Sequence, residues 1–427
     1  MTFLSPLDAI ASWTRAELQS DQWVRITQCW PSWKTNPFYQ SILPKSLADW
    51  SSWDSVPMTT KAQLIDDQDA LGLGRHHTWP AAHYTRFHRT SGTTGRPLVI
   101  LDTAEDWNWW VSTWQYTLAS AGVTSDDRVF MAFSFGPFIG FWSAHDACLR
   151  RNAMVIPGGG LSSLARLDLI RSSSATIVCC TPSYALHLAE VAKQHQFPMR
   201  DLQVRQLIVA GEPGGSSPEV RQRIQSAWNA NVTDHAGGTE IGPWGFGTDD
   251  GKGLYVIETE FLAEFLPLDG SSKPLRSDSI QPGELYELVL TPFGRLGSPV
   301  IRYRTGDLVR PTFDSTLPFV RLEGGVLGRA DDMLIIRGVN VFPSSIERIL
   351  LSFPSVEEFR LIASKQGELD EIRIEVEDSQ QAPSKIAEEI QLRLGLRVQV
   401  TTVPLGSLPR SEGKSKRFVD LRKSSAG

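Results

Sequence analysis

A run of small hydroxyl and glycine residues is the first stretch of the chain with the composition of a binding loop. Residues 89–97 read RTSGTTGRP, with one serine, three threonines and two glycines between Thr90 and Gly95. Small residues let backbone amides approach an oxyanion, and hydroxyls add hydrogen-bond donors, so the run is suited to binding phosphate. It does not fit the Gly-x-x-x-x-Gly-Lys-Ser/Thr pattern of a Walker loop. From these residues alone, a surface turn is an equal alternative.

Four further motifs follow this loop in order along the chain. They read DHAGGTEIG (234–242), YRTGDL (303–308), GRADDMLIIRGVNVFPSSIE (328–347) and LPRSEGKSKRFVD (408–420). With the loop at 89–97 they resemble the ordered motifs of the acyl-adenylate-forming superfamily. Most of that superfamily carries a lysine where Ile335 stands, whereas DDMLIIRGVNVFPSSIE resembles the phenylacetate-CoA ligase branch. The resemblance covers roughly residues 80–420, and the first 80 residues carry no recognisable motif.

The resemblance implies a two-step ligase reaction. A carboxylate attacks the α-phosphate of ATP to give an acyl-adenylate and pyrophosphate, and a thiol such as coenzyme A then accepts the acyl group. Negative charge must be neutralised on both sides of the in-line transfer. By similarity, Glu240 would hold Mg²⁺ and Lys414 would bridge the carboxylate and the α-phosphate. The residues implied to bind the β- and γ-phosphates are Ser91, Gly92, Thr93, Thr94 and Gly95, followed by Arg96 where relatives usually have lysine.

The same resemblance implies an adenosine site. Asp234 would accept a hydrogen bond from the adenine amino group, and Thr239 would lie beside the α-phosphate. Asp307 would accept both ribose hydroxyls, a role that suits a carboxylate with two oxygens, and Arg329 would support the ribose. The residues implied to form one wall beside adenine are Gly211, Glu212 and Pro213.

One position departs from the motif. Relatives usually place a tyrosine ring on adenine where this chain has Ala236. The lost stacking is worth on the order of 1 kcal/mol, judged from aromatic pairs. Weaker ATP binding, replacement by another ring such as Trp244, and a different preferred nucleotide are the three alternatives.

The acyl site is implied by an aromatic segment, FMAFSFGPFIGFWS (130–143), which resembles the loop that bounds the aryl group in phenylacetate-CoA ligases. Its proposed substrate-binding residues are Phe135, Gly136 and Pro137. Phenylalanines on an apolar run are more often core residues, but glycine and proline make the segment bend, as the edge of a pocket requires. Trp107, Trp110 and Trp114 share one face of a predicted helix, and we expect them to be packing residues.

The order of strands and helices predicts an α/β fold. Short β-rich runs such as ATIVCCTP and RQLIVAGEPGG alternate with helical stretches, which is typical of a parallel sheet whose carboxyl-end loops bind ligands. We therefore predict a body of parallel β-α units with a β-rich subdomain over residues 1–330, and a small mobile α+β lid over 331–427. The resemblance implies a hinge at Asp331. It also implies that rotation of the lid about this hinge brings Gly338 to the channel that binds the pantetheine arm of coenzyme A.

The composition of the chain excludes some classes of binding partner. A net charge of −6 from 42 basic and 48 acidic residues indicates neither a nucleic-acid nor an anionic-membrane surface. The N-terminus lacks the features of a signal peptide, and no run of about 18 apolar residues is present, so we expect a cytoplasmic enzyme. Cysteines and histidines are absent from residues 244–261, where some relatives bind zinc, so we expect no zinc; a homodimer is left open.

The sequence therefore predicts an ATP-dependent acid–CoA ligase that acts on a small aromatic or apolar carboxylic acid, with ATP, Mg²⁺ and coenzyme A. Two alternatives stay open. The chain could adenylate an acid for a carrier protein or an amine, or it could be a non-catalytic homologue that binds nucleotide or acyl ligands.

Overall fold

The structure is a computed structural model that describes residues 5–90, 96–330, 334–336, 339–366, 369–409 and 417–422. Within those ranges, helices and strands alternate through the first half of the chain and strands dominate the middle. The mixed α/β class predicted from the sequence is confirmed.

A nine-stranded sheet forms the centre of the body. Its strands in spatial order are β14 (Pro311–Thr312), β15 (Arg321–Glu323), β9 (Gly253–Val256), β8 (Gly242–Gly247), β7 (Asn231–Gly238), β6 (Gln206–Ala210), β5 (Ile177–Cys180), β3 (Arg128–Met131) and β4 (Met154–Pro157). The strands from β7 to β4 pair in parallel, and those from β7 to β14 pair antiparallel. Parallel pairing needs crossovers, which the intervening helices supply.

Helices cover both faces of the parallel half. They are α5 (Ala104–Ser120), α6 (Ile139–Arg150), α7 (Ser163–Ser172), α8 (Pro182–Gln194) and α9 (Pro218–Trp228). Alternate residues of β3 enter two different cores: Phe130 packs with residues of α7, α8 and α9, whereas Val129 and Met131 pack with residues of α5 and α6. This period of two is what a strand buried on both faces requires. The three tryptophans predicted to pack, Trp107, Trp110 and Trp114, are all buried on α5.

The second part of the body joins a β-sheet to helices from the start of the chain. Its five-stranded sheet runs in the order β11 (Leu275–Arg276), β10 (Phe261–Pro267), β12 (Tyr286–Pro292), β13 (Tyr303–Val309) and β16 (Gly328–Arg329). Residues of this sheet share a hydrophobic core with α1 (Pro6–Ile10), α2 (Arg15–Thr35), α3 (Trp50–Asp54) and α4 (Lys61–Leu71). A two-stranded antiparallel pair, β1 (Arg86–Arg89) and β2 (Val99–Asp102), flanks the loop at 91–95.

The C-terminal part has its own hydrophobic core, built from residues between Leu334 and Leu396. Its elements are β17 (Leu334–Ile336), β18 (Val339–Val341), α10 (Pro343–Ser352), β19 (Val356–Gln366), β20 (Leu369–Asp378), α11 (Pro383–Leu394), β21 (Gln399–Thr402) and β22 (Phe418–Asp420). Strands β19 and β20 pair antiparallel, and α11 buries Ile386 and Ile390. The predicted boundary at residue 331 lies outside the described residues and stays a prediction.

None of the helices in the described ranges has both the length and the apolar character that crossing a bilayer requires. All four cysteines are free and buried.

Candidate active site

Loops at the carboxyl ends of the parallel strands bring several predicted site residues to one edge of the sheet. Gly211 follows β6, Glu240 follows β7, and Phe135 lies in the loop after β3. Because parallel strands end at a common edge, segments far apart in the chain meet there. The loop at 158–160 joins them, since a side chain added at Gly159 would contact the backbone of residues 133–135.

Glu240 is a buried carboxylate with a cation against it. The residue is 7% exposed, and the Lys61 ammonium lies 2.6 Å from Glu240 Oε1. The Tyr303 hydroxyl also donates a hydrogen bond to Glu240. Burial alone would raise the pKa of the Glu240 carboxyl, but the charge and the hydrogen bond of Lys61 outweigh it, so the pKa lies below its ordinary value.

Lys61 comes from the part of the chain in which no motif was recognised. Thr60 caps α4 in a reciprocal capping box with Gln63, so Lys61 is the first residue of the helix. Thr59, just before the cap, is held at the start of β13 by two backbone hydrogen bonds. Its amide donates to Arg302 O, and its carbonyl accepts from the Arg304 amide. A cation in the first turn of a helix opposes the helix dipole, and this was the available signal that Lys61 has an anionic partner.

The two residues predicted to bind ribose lie opposite each other on paired strands. Asp307 of β13 is the register partner of Arg329 of β16, and the guanidinium lies 3.1 Å from Asp307 Oδ1. Arg329 also donates to the carbonyl of Thr305. Burial and the charge of Glu240 raise the pKa of Tyr303 well above its ordinary value, with smaller effects of Arg329 and Asp307. Tyr303 thus joins the candidate metal ligand to the candidate ribose site.

Thr239 is held through its backbone by a buried ion pair. Arg295 donates to Thr239 O at 2.6 Å and to Asp102 Oδ1 at 2.7 Å, and the Arg295 and Asp102 side chains are fully buried. The Arg295 guanidinium also lies over the Trp110 ring at 5.2 Å. The pair therefore fixes the turn that carries Thr239 and Glu240, and nothing in the local sequence indicated it.

On the adenine side, the residues after β6 form an open turn. Gly211 has a φ of 91°, which favours glycine, and it is exposed together with Pro213. The Glu212 carboxylate accepts a hydrogen bond from the Ser183 amide at 2.6 Å, in the first turn of α8. The turn is therefore anchored at the helix N-terminus while its glycine and proline face solvent.

Asp234 is more deeply buried than its predicted role suggests. It is 8% exposed; one oxygen accepts from the Ser216 hydroxyl at 2.6 Å and the other from the His235 amide at 3.0 Å. Burial, only partly offset by these hydrogen bonds, raises its pKa to about 6. Its contact with adenine stays a prediction. Trp244 is 2% exposed within the hydrophobic core, so it cannot supply the ring that Ala236 lacks.

The predicted acyl loop is half-buried and aromatic. The Phe135 ring packs against Trp142 at 4.8 Å, Phe133 at 5.8 Å and His145 at 5.7 Å between centroids. Gly136 O accepts from the Trp142 indole, and Pro137 O accepts from the Arg89 amide. These bonds tie the loop to α6 and to β1, next to the candidate phosphate loop.

Comparison with known proteins decides the family. Residues 60–257 match the AMP-binding enzyme family, and residues 338–422 match the AMP-binding enzyme C-terminal domain. The phenylacetate-coenzyme A ligase of Pseudomonas putida is 33% identical over 360 residues, covering 80% of each chain, and that of Escherichia coli K12 is 31% identical over 97% of this chain and 98% of that one. The chain belongs to the phenylacetate-CoA ligase branch of the acyl-adenylate-forming enzymes. It is an acid–thiol ligase.

Solved structures of one relative in two states resemble this ligase to different degrees. A 2-hydroxyisobutyryl-CoA ligase in its postadenylation state superposes with a TM-score of 0.89 at 25% identity, covering 99% of this chain and 95% of that one. The same protein in its thioesterification state gives 0.72 at 26% identity over 99% and 94%. The ligase as a whole therefore superposes more closely on the postadenylation state than on the thioesterification state.

Hydrogen bonds link the C-terminal part to α9. Arg223 donates to the carbonyls of Leu351 at 2.8 Å and Val356 at 3.3 Å. On the neighbouring β16 side, Arg348 donates to the carbonyl of Leu327.

The residues of the ligase fit a magnesium ion carried by a nucleotide. Within the described ranges, no three histidine, cysteine or acidic side chains lie close enough to enclose a metal. Glu240 offers a single carboxylate, and Mg²⁺ in phosphate-transfer sites is bound by one or two carboxylates together with water and substrate phosphates.

Several predicted residues lie outside the described residues: Ser91, Gly92, Thr93, Thr94, Gly95, Asp331, Gly338 and Lys414. Arg96, at the edge of the phosphate loop, is exposed and paired with Asp66 and Asp69. All the predicted roles of individual residues in the ligase stay predictions.

Proposed function

We propose that this ligase adenylates a small aromatic or apolar carboxylic acid with ATP and then transfers the acyl group to coenzyme A. One observation carries the proposal: Glu240, at the sheet edge that also carries the Phe135 loop, accepts a hydrogen bond from the buried Tyr303 of the neighbouring sheet, whose hydroxyl also feels the charges of Asp307 and Arg329. The relatives named phenylacetate-coenzyme A ligase support this reaction for a chain of this length. Its co-substrates would place the enzyme in the cytoplasm.

In the adenylation step, the ribose and the phosphates of ATP would be bound by different groups of residues. Asp307 would accept the ribose hydroxyls, and the Arg329 guanidinium beside it would hold that carboxylate in place. Ser91 to Gly95 and Lys414 are assigned by motif to the phosphates and to the attacking carboxylate. Mg²⁺, when bound at Glu240, would neutralise charge on the departing pyrophosphate. The buried setting of Glu240 strengthens every such interaction.

The acyl group would lie against the Phe135 loop. Aromatic side chains supply area and shape rather than charge recognition, so a compact apolar acid fits this loop. Phenylacetate is the leading candidate because of the named relatives. The 2-hydroxyisobutyryl-CoA ligase neighbour supports a short branched acid as the second candidate.

In the second step, the lid would rotate to open a channel for coenzyme A. We propose a body over 1–330 and a lid over 331–427 that turns about Asp331 and brings Gly338 to the pantetheine arm. Release of the Arg223 hydrogen bonds to Leu351 and Val356 would accompany this rotation.

An ATP–pyrophosphate exchange assay over a panel of acids tests the proposal. The panel holds phenylacetate, 4-hydroxyphenylacetate, benzoate, 2-hydroxyisobutyrate and hexanoate, and each acid is then assayed for thioester with and without coenzyme A. We expect exchange with the aromatic acids and a thioester product that depends on coenzyme A. Exchange without thioester would indicate a carrier protein or an amine as acceptor. No exchange with any acid would indicate a non-catalytic binding protein.

A further inference from the structure

Lys61 and Glu240 form an ion pair in which the two partners differ in exposure. The Glu240 side chain is 10% exposed and that of Lys61 is 39% exposed, with 2.6 Å between the ammonium and the carboxylate. The carboxylate is therefore fixed by the fold, while the long lysine side chain reaches it from the solvent side. A side chain of this kind can leave without unfolding the protein.

The backbone that carries Lys61 is fixed as firmly as that of Glu240. Thr59 bonds to β13 through backbone and side chain, and the Thr60 capping box starts α4 at Lys61. The helix N-terminus itself disfavours a cation, so the lysine is placed there against the local preference. Its backbone is thus positioned, and only the side chain is free to choose between anionic partners.

A metal ion bound at Glu240 would share one carboxylate with the Lys61 ammonium. At the few ångströms involved, two cations repel strongly in a partly buried site. Nucleotide phosphates beside the metal would supply new negative charge within reach of the displaced lysine. Lys61 therefore has a partner in both states of the site.

We propose that Lys61 is a displaceable counter-ion: it occupies the Glu240 carboxylate in the nucleotide-free enzyme, and a metal-bound nucleotide displaces it onto the polyphosphate. The proposal rests on the proposed function only in taking Glu240 as the metal ligand. It explains why a lysine from the N-terminal helices reaches the motif that carries Glu240.

A matched ion pair elsewhere in the body serves as the control. Arg304 lies 2.6 Å from Glu287, with side chains 41% and 4% exposed, so this pair has the distance and nearly the exposures of the Lys61 pair but a carboxylate other than Glu240. If Lys61 were merely a structural partner, removing either cation would have the same consequences.

The test is the binding of free Mn²⁺ without nucleotide, measured by the loss of the free-ion electron paramagnetic resonance signal. We expect Lys61→Met to bind Mn²⁺ at least tenfold more tightly than wild type, because the competing cation is gone. Lys61→Arg, which keeps the charge, and Arg304→Met should both stay within threefold of wild type. Glu240→Gln added to Lys61→Met should abolish the gain. Equal Mn²⁺ affinity of Lys61→Met and wild type, or a gain that survives Glu240→Gln, would overturn the proposal.

The movement of Lys61 to the polyphosphate is tested by a separate measurement, the KM for pyrophosphate. In the reverse reaction, synthetic acyl-adenylate and pyrophosphate give ATP and the acid. Lys61→Met should raise the KM for pyrophosphate at least tenfold, and in Lys61→Arg the KM should lie close to the wild-type value. An unchanged KM would contradict transfer of the lysine to the polyphosphate. Mn²⁺ binding requires no carboxylic acid substrate. Absence of ATP–pyrophosphate exchange with every acid would therefore contradict the proposed function but would leave the proposal for Lys61 to be decided by Mn²⁺ binding. If Lys61→Met does not fold, Lys61→Gln takes its place in both assays.

Discussion

The nucleotide end and the acyl end of the candidate site are built by different forces. At the nucleotide end, three ion pairs join segments that are distant in the chain: Lys61 with Glu240, Asp307 with Arg329, and Asp102 with Arg295. At the acyl end, Phe135 meets Trp142, Phe133 and His145 through ring contacts. A buried charge needs one particular partner, whereas apolar packing tolerates exchange of side chains of similar volume. Changes at the nucleotide end should therefore affect every acid alike, and changes at the acyl end should alter the preference among acids.

The largest expected effect is at the buried pair that holds the Thr239 turn. Arg295→Ala leaves the fully buried Asp102 carboxylate without its cation, and breaking such a pair costs about 4 kcal/mol of unfolding free energy. Urea denaturation measures this loss. Arg171→Ala, which breaks an ion pair with Asp168 in which the side chains are 44% and 55% exposed, should cost at most about 1 kcal/mol. Equal costs for the two variants would mean that burial does not distinguish the ion pairs of this enzyme.

Lys414→Ala tests the catalytic charge assigned by motif. We expect adenylation to slow by about 100-fold or more, the scale of losing one preorganised charged donor, for every acid in the panel. Thioester formation from synthetic acyl-adenylate should survive, because that step no longer involves the α-phosphate attack. Rapid-quench measurement of both half-reactions is the check, and an equal loss in both would mean that the lysine is structural.

Asp234 is a carboxylate at the nucleotide end whose hydrogen-bond partners are a hydroxyl and an amide. Burial raises its pKa to about 6 from an ordinary 3.8, so the unfolded chain releases this proton at lower pH than the folded one. Its contribution to stability is therefore present at low pH and falls by about 2 kcal/mol as the pH rises from 4 to 6. Asp234→Asn should remove that dependence. Parallel pH profiles of unfolding for the variant and wild type would contradict the assignment.

The smallest effect is expected at the acyl end. Phe135→Tyr adds a hydroxyl to a ring that packs against His145. It should change kcat/KM by different factors for phenylacetate, 4-hydroxyphenylacetate, benzoate and hexanoate, each factor being a few-fold or about 1 kcal/mol, and so change the order of the four acids. Phe313→Tyr, at an exposed phenylalanine of another part of the body, is the control. An unchanged order would show that this loop does not set specificity, and equal losses for all acids would remove the contrast between the two ends.

Local pattern was enough to predict several elements of the body. The apolar run ATIVCCTP became β5, and the tryptophan face became the buried side of α5. Motif order indicated both Asp307 and Arg329, which the fold pairs across two strands. The strand and the helix face follow from periodicity, which any chain segment carries by itself, whereas Asp307 and Arg329 were implied only by the resemblance of the ordered motifs to a known family.

Only the tertiary structure could decide which charges meet. Lys61 reaches Glu240 because α4 is anchored on β13, and Arg295 reaches Asp102 across 193 positions of sequence because two sheets pack around α5. Nor could sequence show that Trp244 is buried in the hydrophobic core. The partner of a buried charge depends on how the layers pack, and packing is a property of the whole chain that no local pattern contains.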